Sequence, residues 1–226
     1  MEKGNLIIYD MLLRLPLFQG MSKTELAEIV GHTKFEFIRF AEDSTIAKEG
    51  SVCQNLFFLI KGSMKSTMLC DNHSYRVEEY WNAPNMLQLE CLFGLTQRYT
   101  MDFTAISHCD IMAISKTEVI RLNDTYEIFR TNLLNIISTH AQRLNHRPWR
   151  PTPNSLHDKL IRFITDHCRR PAGAKAFHIR MEDLSKAIGE SRLNVSRELH
   201  AMEQQGLIGL GRERINIPAL EELLNT

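Results

Sequence analysis

Apolar and polar positions change period along this chain, and each change marks a new kind of element. Between residues 35 and 115 the pattern is that of strands. Phe35-Glu36-Phe37-Ile38-Arg39-Phe40 alternates, and Leu56-Phe57-Phe58-Leu59-Ile60 reads as a buried strand stopped by Lys61-Gly62. Ser63–Leu69 and Tyr75–Tyr80 flank a hairpin tip at Asp71-Asn72-His73, and Gly50 marks a turn. Phe103-Thr104-Ala105-Ile106 and Ile111-Met112-Ala113-Ile114 form a later pair. Short strands at such spacing predict an antiparallel β-barrel or jelly roll. From Asp124 to Arg147 the period becomes that of one long helix, in which Leu133, Ile137, His140 and Leu144 form a coiled-coil-like seam. Pro148, Pro151 and Pro153 then end it. Leu156, Leu160, Ile161 and Ile164 start the next helix.

Residues 181–208 carry the most informative pattern. Leu184, Ala187 and Ile188 give a first helix one apolar face, and Gly189 stands where it must stop, because a left-handed residue costs glycine little. Ser191 is placed to cap a second helix with its hydroxyl. Along that helix Val195, Leu199 and Met202 face inward, which turns Arg192, Leu193, Ser196, Arg197 and His200 outward. Such a helix-turn-helix suits a DNA major groove; the plain alternative is a helical hairpin whose arginines are merely solvated. Behind it Gly209, Gly211 and Arg212-Glu213-Arg214 form a turn before Ile215 and Ile217 alternate, and Phe177-His178-Ile179 alternates ahead of it. The whole reads as a winged helix.

The expected fold class is therefore α+β: an N-terminal antiparallel β-barrel or jelly roll, a long dimerisation helix, and a C-terminal winged helix-turn-helix domain. In residue terms this gives a sensing domain over 1–123, the helix over 124–147, a hinge over 148–154 and the winged helix over 155–226. The 226 residues suffice for one large domain or two modest ones. Formal net charge is zero, with 15 Lys/Arg against 17 Asp/Glu in residues 1–147 and 12 against 10 in residues 148–226. That is far from the basic balance of a nonspecific nucleic-acid binder, so DNA binding has to come from local arginine placement and dimer geometry.

No apolar run is long enough to span a bilayer. The opening MEKGNLIIYDMLLRLP does not read as a signal peptide; Leu6, Ile7 and Leu13 suit an amphipathic helix. Cys53, Cys70, Cys91, Cys109 and Cys168 are scattered without a CxxC pair, as expected of a chain in a reducing cytoplasm and against a zinc or iron–sulfur site. No nucleophile–base pair, phosphate loop or metal motif points to an enzyme.

A barrel, a long helix, a Pro-rich hinge and a winged helix, in that order, resemble the Crp/Fnr family of bacterial transcription regulators over nearly the whole chain. EGSVCQNLFFLIKGSMK looks like the family's strand–turn segment, and GESRLNVSRELHAMEQQGLI looks like its recognition helix. The resemblance implies a homodimer that binds palindromic double-stranded promoter DNA and works with RNA polymerase. It also implies DNA contacts from Ser191, Arg192, Leu193, Asn194, Ser196, Arg197 and His200. Arg192, Ser196 and Arg197 coincide with family positions that touch DNA. Leu193 stands where the family usually has a glutamate; it can meet a thymine methyl but cannot accept from a cytosine amino group.

Members that bind cyclic nucleotide carry a G-E-L…R-S/T phosphate cassette. The matching stretch here is QLECLFGLTQRYT, in which Gln88 and Leu89 replace glycine and glutamate and Tyr99 best matches the arginine. Glu90 and Arg98 lie one residue away, and in a strand one residue sends a side chain to the other face. Leu89, Glu90, Arg98, Tyr99 and Thr100 are thus the effector-pocket candidates, and they argue against cyclic AMP. With no cysteine before Cys53, the family's N-terminal iron–sulfur cluster is not expected. Haem stays open, with His140, or His32, His73 and Met68, as ligand candidates; each has a stronger ordinary reading as a surface or core residue. The competing functional class is a ligand-binding or protein-interaction module whose winged helix takes a protein partner.

Overall fold

The computed structural model describes residues 3–225, without the side chains of residues 3–7 and 147, so the Leu6 and Ile7 side chains lie outside the described residues. Two compact units emerge: Met1–Met64 with Asn82–Pro148, and Lys65–Trp81 with Trp149–Thr226.

The first unit opens with α1 (Lys3–Leu12) and α2 (Lys23–His32). A capping box, in which the Ser22 hydroxyl accepts from the Glu25 amide and the Glu25 carboxylate accepts from the Ser22 amide, starts α2. The strands are β1 (Glu36–Phe40), β2 (Thr45–Ala47), β3 (Asn55–Lys61), the root of β4 (Ser63–Leu69), the end of β5 (Tyr75–Asn82), β6 (Asn85–Met86), β7 (Asp102–Ala105) and β8 (Cys109–Ser115). One sheet has the order β1-β8-β3-β6, and β2 pairs separately with β7. The strands stay in separate sheets, so the unit is a jelly-roll-like double layer and not a closed barrel. All the named pairings within it are antiparallel, with Phe57 opposite Ala113 and Leu56 opposite Ile114 at its centre.

After β8 come α3 (Lys116–Thr125) and α4 (Glu127–His146). The expected single helix from 124 therefore begins three residues later, behind a break at Tyr126. The start of α4 packs inward: Phe129 meets Phe18 at 5.4 Å, and the Asn132 amide donates to the carbonyls of Leu17 and Gln19. Leu133, one turn after Phe129, is only 6% exposed and belongs to this core. His140, two turns on, points the same way, its Nδ1 4.0 Å from Glu90 Oε1. These two members of the expected seam are thus turned toward their own unit. At 100° per residue the outward stripe falls on Leu134, Ile137, Ala141 and Leu144, where Leu134 is 56% exposed. Their 3-4-3 spacing is the heptad pattern displaced by one residue at two positions.

The second unit contains the β4–β5 hairpin, α5 (Leu156–Asp166), β9 (Lys175–Ile179), α6 (Met181–Ile188), α7 (Arg192–Gln204), β10 (Gly209–Gly211), β11 (Arg214–Ile217) and α8 (Leu220–Leu223). Its sheet runs β10-β11-β9-β5-β4. The expected sensing domain over 1–123 is therefore not one body, because residues 65–81 join the winged helix. The reason is strand pairing. β5 lies antiparallel to β9 from Tyr75 opposite Ile179 to Glu79 opposite Lys175. At the latter pair Lys175 Nζ sits 3.1 Å from Glu79 Oε2, with side chains 0% and 2% exposed. Glu79 also accepts from the amides of Arg169 and Arg170, and Lys175 donates to the Ala172 carbonyl. Next along β5, burial pushes the Glu78 carboxyl up, but hydrogen bonds from Lys65 and His178, with their charges, outweigh it and hold it at about 2.

Candidate nucleic-acid interface

The helix-turn-helix is built on one apolar cluster. Leu184, Val195, Leu199 and Met202 are buried together with Leu160, Phe177, Ile215 and Ile217, so α5, α6, α7 and the wing strands share a core. Within α6 the inner face differs from the periodic expectation. Ala187 is exposed and Ser185 is buried, because the Ser185 hydroxyl donates to the Met181 and Glu182 carbonyls and needs no solvent. Gly189 ends α6 in the left-handed region at φ 69°. Ser191 caps α7, its hydroxyl accepting from the Asn194 amide at 3.2 Å. Two polar contacts brace the motif from α5: a hydrogen bond between His157 and Glu198 at 2.9 Å and an ion pair of Lys159 with Glu190 at 2.6 Å. Glu190 sits in the turn itself, so Lys159 fixes where α7 begins.

With Val195, Leu199 and Met202 inside, two rows of α7 face out. Leu193 and Arg197 form one row; Arg192, Ser196 and His200 form the other, each spaced four residues. Arg192, Leu193, Asn194, Arg197 and His200 are exposed, Leu193 by 60%, and Ser196 is half-buried. Among the described residues neither Arg192 nor Arg197 is held in an ion pair. The two guanidiniums are therefore available for an external acceptor, which is what base edges and phosphates supply.

The second row borders the wing. Arg192 and His200 line a cleft of about 480 Å³ with Arg180 and Glu182 of the α6 start and Leu210 and Glu213 of the wing. Glu203 of α7 ties the wing down by accepting from the Leu210 amide at 2.7 Å. Glu213 turns the wing with φ 54°. Arg180 and Glu203 were not singled out by periodicity: each needs a partner distant in space or a cap position before its role is visible.

In the first unit the effector candidates divide. Leu89 and Tyr99 are buried, Glu90 is half-buried, and Arg98 and Thr100 are exposed. The Tyr99 hydroxyl donates to the Asn55 carbonyl at 3.3 Å, and burial pushes its phenol up. Arg98 bridges to Val52 in the backbone and donates its Nη1 to the Gly50 carbonyl, so its guanidinium is held apart from the place of Tyr99. The Gln88 amide spans to Thr100, donating to its hydroxyl and accepting from its backbone amide. Gln88 thereby fills polar valences that an incoming ligand would otherwise use. A cluster of three or more metal-capable side chains is absent among the described residues, as is any helix long and apolar enough to cross a membrane.

Comparison with known proteins agrees with this architecture. Residues 158–226 match the Crp-like helix-turn-helix domain. The chain is 26% identical over 182 residues to the cAMP-activated global transcriptional regulator Vfr of Pseudomonas aeruginosa, covering 75% of this chain and 83% of that one. Its fold is similar to that of the Thermus thermophilus catabolite activator protein, at 18% identity and a TM-score of 0.50, over 93% of this chain and 97% of the other. The sensor domain of the regulator DNR from Pseudomonas aeruginosa superposes with a TM-score of 0.54 at 20% identity, over 68% of this chain and 99% of that domain. The c-di-GMP-responsive regulator CLP of Xanthomonas campestris does so at 0.51 and 14% identity, over 87% and 99%.

Proposed function

We propose that this chain, a Crp/Fnr-type transcription regulator with a Crp-like helix-turn-helix domain over residues 158–226, binds palindromic promoter DNA as a homodimer through α7. The observation that carries this is the pair of unengaged, exposed arginines, Arg192 and Arg197, set on a helix whose opposite face is fully buried. Both reach base edges from the first half of the recognition helix, while Ser191, Asn194 and Ser196 reach phosphate or sugar. The reading extends to a cytoplasmic regulator that contacts RNA polymerase at its promoter.

The Vfr relative is cAMP-activated; we infer that this chain does not bind cyclic AMP. A buried phosphate needs a cation beside it, and the position that would supply one holds the Tyr99 phenol.

Arginine pairs best with the O6 and N7 acceptors of guanine, and each bidentate contact discriminates by about 1–3 kcal/mol. Arg197→Ala should weaken binding to the cognate palindrome by ~10-fold or more per half-site and leave nonspecific binding nearly unchanged, as read by gel shift at two salt concentrations. Leu193→Glu should move preference toward a site with cytosine at that position. An unchanged ratio of specific to nonspecific affinity in Arg197→Ala would transfer the winged helix to the protein-partner reading.

A further inference from the structure

His200 is the one imidazole on the exposed rows of α7, beside the permanently charged Arg192 and Arg197, and its ring is oriented by the helix itself. Its Nδ1 lies 2.7 Å from the Ser196 carbonyl oxygen. A carbonyl only accepts, so Nδ1 carries a proton whatever the charge of the ring. The gain or loss of a proton is thereby confined to Nε2, the nitrogen on the side of the ring away from the helix backbone. Histidine is the side chain that ordinarily changes charge between about pH 5 and 8.

The position decides what Nε2 meets. His200 follows Arg192 by eight residues, roughly 12 Å along the axis at 1.5 Å per residue. Base reading belongs to the N-terminal turns of a recognition helix, and His200 lies beyond them, at the cleft beside the wing. For a recognition helix seated in a major groove, that position faces DNA backbone and not base edges.

The charged neighbours leave the imidazole free for it. On α7, Glu203 is engaged by the Leu210 amide and Glu198 by His157, while Arg192 and Arg197 stand on the same outer surface. On α6, Arg180 is paired with Asp183 and Glu182 with Lys186. On the wing, Arg214 donates to the Tyr80 hydroxyl, with Arg212 and Glu213 at the tip.

We propose that His200 is a proton-gated phosphate contact, which strengthens DNA binding as pH falls by converting Nε2 from an acceptor into a charged donor. A neutral Nε2 presents a lone pair to a phosphate oxygen, which can only accept; the protonated ring supplies both a hydrogen bond and a charge. This rests on α7 being the DNA-binding helix.

Because a phosphate contact carries no sequence information, a random-sequence duplex serves as the probe for the full chain. Fluorescence anisotropy at pH 6.0 and 8.0, across a salt series, should show binding about 10-fold tighter per recognition helix at the lower pH. The slope of log K against log salt should steepen by about 0.9 per helix, one phosphate's share. His200→Gln should keep the shallow slope at both pH values, and His200→Lys the steep slope at both. A His200→Gln protein with the wild-type pH dependence intact, while still binding DNA, overturns the role of His200 alone. No binding of the wild type at either pH overturns the DNA-binding reading with it.

Discussion

Lys175 and Glu79 carry opposite charges at a place closed to solvent, and the partners recorded for both lie within the second unit. Such a pair adds little compared with well-packed apolar residues, but removing one member leaves an uncompensated buried charge. Glu79→Gln keeps the shape and removes the charge. It should destabilise the protein by about 3 kcal/mol in denaturant titration, and Glu79→Gln combined with Lys175→Met should regain much of that loss. A single variant within 1 kcal/mol of wild type would show the pair to be solvated in solution. Neither residue was marked by the sequence, since a lysine and a glutamate 96 positions apart are read as surface until a strand register places them opposite each other.

At the level of elements, strong periodicity was legible and its phase was not. The strands Phe35–Phe40 and Leu56–Ile60, the stop at Gly189, the cap at Ser191 and the buried stripe Val195, Leu199 and Met202 all stand where alternation and turn chemistry put them, within a residue or two. The α4 seam expected at Leu133, Ile137, His140 and Leu144 has two members, Leu133 and His140, turned toward their own unit. Apolar residues stand on both sides of this helix, and only the N-terminal segment around Phe18 decides which side it claims. Short elements such as β2, β6 and α8 carry too few residues to show a period, and α3 hides because only Val119 and Leu122 of its ten residues are buried. The displaced stripe sharpens the assembly test. Ile137→Asp should give monomers in light scattering, because two charges would face each other across the dimer, whereas Leu133→Ala should leave a dimer that unfolds earlier by about 2–5 kcal/mol. A dimer that survives Ile137→Asp with DNA binding intact would move the subunit contact off α4.

For the molecule as a whole, the sensor and the reader can be tested apart. A ligand at 100 times its dissociation constant adds about 2.7 kcal/mol to the stability of the state it binds. Millimolar cyclic AMP should leave the melting temperature within about 1 °C of the free protein. A clear upward shift would require Arg98 to leave the Gly50 carbonyl and serve as the missing cation. The β4–β5 hairpin has another consequence, for modularity. The chain passes between the two units three times, at 64/65, 81/82 and 148/149, so the unit that holds the helix-turn-helix is not a contiguous stretch. A chimera that grafts only the segment after the prolines onto a foreign sensor would strand Lys175 without its carboxylate and leave β9 with a bare edge, open to pairing with any neighbouring chain. An exchange of sensors should therefore keep the winged helix folded only when the hairpin travels with it, or when the incoming sensor brings an equivalent strand of its own.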